Sequence, residues 1–141
     1  MPTARGRGAR SDWVDLVAGV TLDTGALIAI ERGDRRLQAI IDEAAIAGAE
    51  IAVPAGVVAR AWRGSARQAR LSRFLALDAV ICVPLDEPEA RAAGALCGRA
   101  GTADIVDASV ALCARARGHA AVTGDPQDLA ALDPRLTLVV L

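Results

Sequence analysis

Five short apolar runs alternating with segments of helical periodicity constrain this chain more than any other feature. The runs lie at 20–22, 51–53, 80–83, 120–123 and 137–140. They are apolar on both faces rather than alternately polar, as strands buried on both sides are. Between the first two runs, Asp34 caps a predicted helix over 35–47, with Leu37, Ile40, Ile41 and Ala44 at helical spacing. Further helices are predicted over 25–30, 54–63, 66–77, 87–99 behind Asp86, 103–117 behind Thr102, and 126–132. Strand–helix alternation of this kind builds a parallel sheet covered by helices on each face, with right-handed crossovers. In such sheets ligands bind beyond the carboxyl ends of the strands, where the strand order reverses.

The expected organisation is a flexible leader over 1–18 and one domain over 19–141. Residues 1–12 are rich in Gly, Arg, Ala and Ser, and Trp13, Val14, Leu16 and Val17 offer a short apolar turn. The aromatic residues are Trp13, Trp62 and Phe74, so the core is built from Ala, Val, Leu and Ile. All 16 basic residues are Arg and the net charge is −1, which excludes a generally basic nucleic-acid coat. The longest run without a charged residue is 51–59, too short to cross a bilayer, and no secretory pattern opens the chain. Cys82, Cys97 and Cys113 form no CxxC pair and no disulfide framework. The expectation is a reduced, cytoplasmic protein with no membrane association, whose cysteines serve as three small buried hydrophobes.

The acids carry the chemical signal. Asp23 ends the first strand, and Asp125 sits two residues beyond the fourth. Asp104 and Asp107, three apart, share a face in the first turns of the preceding helix. Three segments thus deliver carboxylates to one rim of the sheet. Each Asp taken singly has an ordinary structural use, as a helix cap or a turn opener. Together they exceed what a helix N-terminus can neutralise, and converging carboxylates raise one another's pKa or hold a cation. A hard divalent cation on oxygen ligands suits hydrolysis of a phosphodiester. There is no GxGxxG turn, no Walker A loop and no G-x-S-x-G elbow. The single His119 follows the predicted Gly118 cap, where a solvated ring is expected.

The stretch Leu22-Asp23-Thr24-Gly25-Ala26-Leu27 resembles the opening of PIN-domain proteins. Asp104-Ile105-Val106-Asp107-Ala108 and Val122-Thr123-Gly124-Asp125-Pro126 are similar to that family's later acidic motifs, and the order of elements matches over about 20–141. The subgroup most similar is the VapC-type toxins of bacterial toxin–antitoxin pairs. The resemblance implies a three-layer α/β/α fold with a five-stranded parallel sheet and a Mg²⁺-dependent endoribonuclease, with Mn²⁺ as a substitute. It implies Asp23, Asp107 and Asp125 as metal-binding catalytic residues, with Asp104 as an additional acid and Asp128 as a weaker candidate. It also implies an RNA substrate, a VapB-like antitoxin and a homodimer.

One departure stands out. The family usually places a Glu on the helix after the second strand, and Arg60 occupies that slot. Arg60 also opens a row with Arg63, Arg67 and Arg70 at helical spacing, suited to RNA phosphates or to a solvated face. A rival reading is therefore a catalytically weakened PIN domain that binds RNA or protein. A phosphatase of the haloacid-dehalogenase type is a third, but it wants an Asp where Gly25 stands.

Overall fold

The structure, a computed structural model, describes residues 11–141; residues 1–10 of the expected leader lie outside the described residues. Of the rest of that segment, Asp12–Asp15 forms one 3-10 turn with Val14 buried. Ser11 donates to Glu43 Oε1 through both its backbone N–H and its hydroxyl.

The strands are β1 (Gly19–Leu22), β2 (Glu50–Pro54), β3 (Val80–Val83), β4 (His119–Thr123) and β5 (Leu138–Val140). They form one parallel sheet in the order β3-β2-β1-β4-β5. The helices are α1 (Thr24–Arg32), α2 (Arg35–Ile46), α3 (Ala55–Ala61), α4 (Ala69–Leu75), α5 (Glu87–Ala100), α6 (Ile105–Arg117) and α7 (Pro126–Leu132). Helix α6 lies along β1, β2 and β4 with α5 packed on it, while α1 and α2 rest on β1, β4 and β2. The fold is thus the expected three-layer α/β/α arrangement. Among the described residues no helix is long and apolar enough to cross a membrane.

The alanine content has a structural use. Ala108, Ala111 and Ala114 on α6 are buried, as are Ala120 and Ala121 on β4. Small side chains on both partners let helix and sheet approach closely. The volume is filled from beside the contact by Leu22, Leu27, Val53, Val110 and Val122, all fully buried.

Some element ends differ from expectation for local reasons. Pro54 belongs to β2, opposite Val83, rather than opening α3. Helix α3 stops at Ala61 because Trp62 is extended, two residues short of the predicted end. The next helix is split: Ala66–Gln68 is a 3-10 turn and α4 follows. The buried Gln68 amide sets this corner. Its oxygen accepts from Arg63 and Gly64 N–H, and its nitrogen donates to Ala61 O and Glu31 Oε1. Helix α6 is capped by Asp104, not Thr102, because the Asp104 carboxylate reaches Asp107 N–H at 2.9 Å. Thr102 Oγ1 instead accepts from Asp104 N–H.

Two further expectations are corrected. Cys97 and Cys113 are buried, but Cys82, on the edge strand β3, is exposed. His119 is not solvated: it is the first residue of β4 and its side chain is fully buried. Its Nε2 lies 3.0 Å from Glu50 Oε1 and its Nδ1 2.9 Å from Thr21 Oγ1. A carboxylate only accepts, so Nε2–H donates to Glu50 and Nδ1 accepts the Thr21 hydroxyl; both ring nitrogens are satisfied in a neutral imidazole. Arg117 braces Glu50 at 3.3 Å. Gly19 makes room, since a Cβ there would overlap the Glu50 carbonyl oxygen and stand 2.8 Å from His119 Nε2.

Burial holds His119 below its ordinary pKa, outweighing the opposite pull of Glu50. The fold therefore keeps this ring neutral. Its contribution to stability is full above the ordinary histidine pKa of about 6.5 and is lost as pH falls through the depressed native value. The expected result is a thermal midpoint that drops by a few degrees from pH 7.5 to 5.5, more steeply than in His119→Gln. Parallel pH profiles for parent and variant would show that His119 does not titrate on unfolding.

Candidate active site

Strands β1 and β4 are neighbours at the centre of the sheet, and the strand order reverses there. Asp23 follows β1 and Asp125 follows β4. Asp23 is only 5% exposed. It caps α1 by accepting Ala26 N–H on Oδ1 at 2.9 Å, and accepts Gly124 N–H on Oδ2 at 3.3 Å. The Thr123 side chain beside it favours its charged form. One carboxylate thus ties α1 to the turn after β4. Burial raises the Asp23 pKa, these hydrogen bonds pull it back, and the charge of Asp125 adds to the rise. Asp125 takes no cap bond with its side chain; its N–H donates to Thr123 Oγ1 at 2.8 Å.

The second pair comes from the start of α6. Asp107 is partly buried, and its pKa is pushed up to about 6. Burial is the largest cause, followed by the negative charges of Asp104, Asp128 and Asp23. Asp107 therefore feels carboxylates from β1, α6 and α7 at once. Asp128, on the first turn of α7, belongs to that field.

Arg60, in the last turn of α3, enters the same rim. Its Nη1 lies 3.2 Å from both Asp104 carboxylate oxygens. Burial works to raise the Asp104 pKa, but the Asp107 N–H and Arg60 outweigh it and hold the group below the usual range. The remaining arginines of the row are not brought to this place together. Arg63 turns back onto the carbonyls of Trp62 and Ala59. Arg67 lies in the 3-10 turn. Arg70 rests against Gly33, at the far end of α1 from Asp23. Helix α3 ends at Ala61 and the chain turns at Gly64, with φ near +70°, which divides the row.

The donor set at the rim is oxygen only, which suits Mg²⁺ or Mn²⁺ rather than a soft metal. The raised Asp107 pKa comes from burial first and from the neighbouring carboxylates second. Among the described residues, no three acidic, histidine or cysteine side chains are grouped as they would be around a metal ion. By donor type the carboxylates are of the kind a hard cation takes, while Asp104 is turned toward Arg60 and Asp23 is engaged by backbone N–H groups.

Sequence reasoning singled out the four carboxylates but missed what holds them. The Gly124 N–H that grips Asp23 is a backbone group, visible only once β1 and β4 are paired. Cys97, whose thiol meets Asp104 O at 3.5 Å, also escaped it. Burial, reinforced by Asp104 and Asp107, raises that thiol's pKa, so it is an unreactive wall.

A family model described as the PIN domain matches residues 20–133. A comparison with curated protein sequences finds no match. Two solved structures are similar in fold. One is a chain of VapBC2 from Rickettsia felis, crystallised bound to a DNA fragment from the complex's promoter. It has 18% identity and a TM-score of 0.64, covering 86% of this chain and 98% of that one. The other is a chain of FitAB bound to an IR36 DNA fragment. It too has 18% identity, with a TM-score of 0.60, covering 86% of this chain and 94% of that one.

Proposed function

This chain belongs to the PIN-domain family, and from that premise we propose that it is a divalent-cation-dependent endoribonuclease, the toxin of a VapBC-like toxin–antitoxin pair. The observation that supports this reading is the placement of Asp23 and Asp125 just beyond β1 and β4, where the strand order reverses, beside Asp107, which is pushed up to about 6 by burial first and then by the charges of Asp104, Asp128 and Asp23. Asp23, Asp107 and Asp125, aided by Asp104, would hold Mg²⁺ or Mn²⁺. A cation bound there supplies a water of lowered pKa and charge to offset the reacting phosphate. The chain's own part is positional. Asp23 is fixed by Ala26 and Gly124 N–H groups, so its carboxylate does not need to be ordered when the cation arrives. Asp107 sits in the first turn of a helix whose N-terminus Asp104 has already capped.

An antitoxin partner and a cytoplasmic site of action follow from the same reading. The two structures similar in fold belong to complexes named VapBC2 and FitAB, each bound to DNA. Helices α1, α2 and α4 enclose a groove of ≈ 470 Å³ floored by Ile30, Leu37, Ile41 and Phe74, with Arg70 and Arg73 at its edge. Trp62, 39% exposed beside Val58 and Leu75, is an apolar anchor for a partner or a second copy. A specific observation also favours the rival reading of a weakened, binding-only PIN domain: the Arg60–Asp104 ion pair spends one acid on an internal cation.

A metal-titrated assay decides between them. Single-stranded RNA should be cut with Mg²⁺ or Mn²⁺ and left intact with a chelator, while a small phosphate monoester is not hydrolysed. RNA binding without cleavage at any metal concentration would establish the binding-only reading. Co-purification of the neighbouring gene's product, and suppression of the cleavage by it, is the second arm.

A further inference from the structure

The charge at position 60 has no use in the scheme above, and its geometry is specific. Arg60 and Asp104 come from different elements, α3 and α6, and their side chains are 45% and 35% exposed. One guanidinium nitrogen spans both carboxylate oxygens, which leaves the rest of the planar fork outside this bond. Asp104 Oδ1 is shared with Asp107 N–H, so Asp104 cannot swing toward a cation without weakening either its cap or its ion pair. Arg60 also offsets part of the negative field at Asp107. A fixed positive charge at an acidic rim is matched by two kinds of ligand: a cation that competes for its carboxylate, and a phosphate that competes for its guanidinium.

We propose that Arg60 is a phosphate-positioning residue held on Asp104, exchanging that carboxylate for an RNA phosphate when a divalent cation occupies the rim. The proposal rests on the nuclease reading and adds a coupling to it. Cation and phosphate must each break the same ion pair, so whichever binds first relieves the second of that cost, and the coupling is reciprocal. An exposed pair of this kind bounds the effect at a factor of about 5, which corresponds to about 1 kcal/mol. A weak pair is what the exchange requires, since a buried one would hold Arg60 permanently.

The test uses the full chain and binding alone. Mn²⁺ affinity is measured by calorimetry, and the affinity of a fluorescent, fully 2′-O-methylated RNA oligomer by anisotropy, with and without Mn²⁺ at constant ionic strength. In Arg60→Gln, Mn²⁺ without RNA should bind about 5-fold tighter, because Asp104 is released. The factor by which Mn²⁺ tightens oligomer binding should shrink about 5-fold relative to the parent, because the guanidinium is gone. Arg60→Lys should lie between the two, keeping the charge but not the fork. If Arg60→Gln leaves both the Mn²⁺ affinity and the coupling factor at parental values, Arg60 is only a surface partner of the α6 cap and the proposal is overturned. If the parent binds no Mn²⁺ at all, the nuclease reading falls and this inference with it.

Discussion

Asp23→Asn is expected to lower metal-dependent RNA cleavage on the order of 100-fold or more while the protein stays folded. Loss of groups that merely orient metal ligands costs 10–100-fold, and removal of a ligand's charge exceeds that. The choice of substitution follows from the structure. Asp23 has a second job: Oδ1 caps α1 through Ala26 N–H, and Oδ2 ties Gly124 N–H to the sheet. Asparagine keeps one oxygen and so keeps the cap, giving up only the Gly124 bond. Alanine gives up both, at about 0.5–2 kcal/mol for the cap alone. Alanine at this position therefore removes structural bonds together with the charge. Asp23→Asn should melt within a few degrees of the parent, and Asp23→Ala clearly lower. Parental cleavage by a folded Asp23→Asn protein would remove Asp23 from the catalytic set.

The sheet was legible from the sequence because its strands are apolar on both faces and the first four are closed by a Gly, Pro or Asp. The helix caps at Asp34 and Asp86 were legible for the same reason, since a side-chain acceptor three residues before a backbone N–H is a local matter. The acid set was legible because Asp23 and Asp125 mark strand ends, which the alternation itself locates. What was not legible is non-local. His119 follows a helix-ending glycine and looks solvated, but its ring is paired with Thr21 and Glu50, 98 and 69 residues away. The arginine row looks continuous at helical spacing, yet the Trp62–Gly64 turn, pinned by Gln68, sends Arg60 and Arg70 to different ends of α1. Thr102 and Asp104 were both plausible caps. The carboxylate is the stronger acceptor for a helix N-terminus, and Arg60 across the rim keeps it ionised.

Asp107→Asn is expected to have the opposite signature: cleavage lost, but the metal-free protein made more stable. Its native pKa of about 6 lies above the unfolded carboxyl value of 3.8. Between those values the folded state binds more protons than the unfolded one, so stability falls as pH rises through this window and levels off above about 6. The full shift corresponds to about 3 kcal/mol, and solvent screening of a half-buried group reduces it to roughly 1–2 kcal/mol. Asparagine carries no charge to penalise. Asp107→Asn should therefore melt roughly 4–8 °C above the parent at pH 7.5, and level with it below pH 4. Divalent cation reverses the order. Mn²⁺ at 100 times its dissociation constant adds about 2.7 kcal/mol to a protein that binds it only when folded. The parent should gain accordingly and the variant little, so that the two melting curves cross as Mn²⁺ is added. If Mn²⁺ raises both midpoints equally, Asp107 is not a ligand, and its raised pKa reflects only burial and the neighbouring carboxylates.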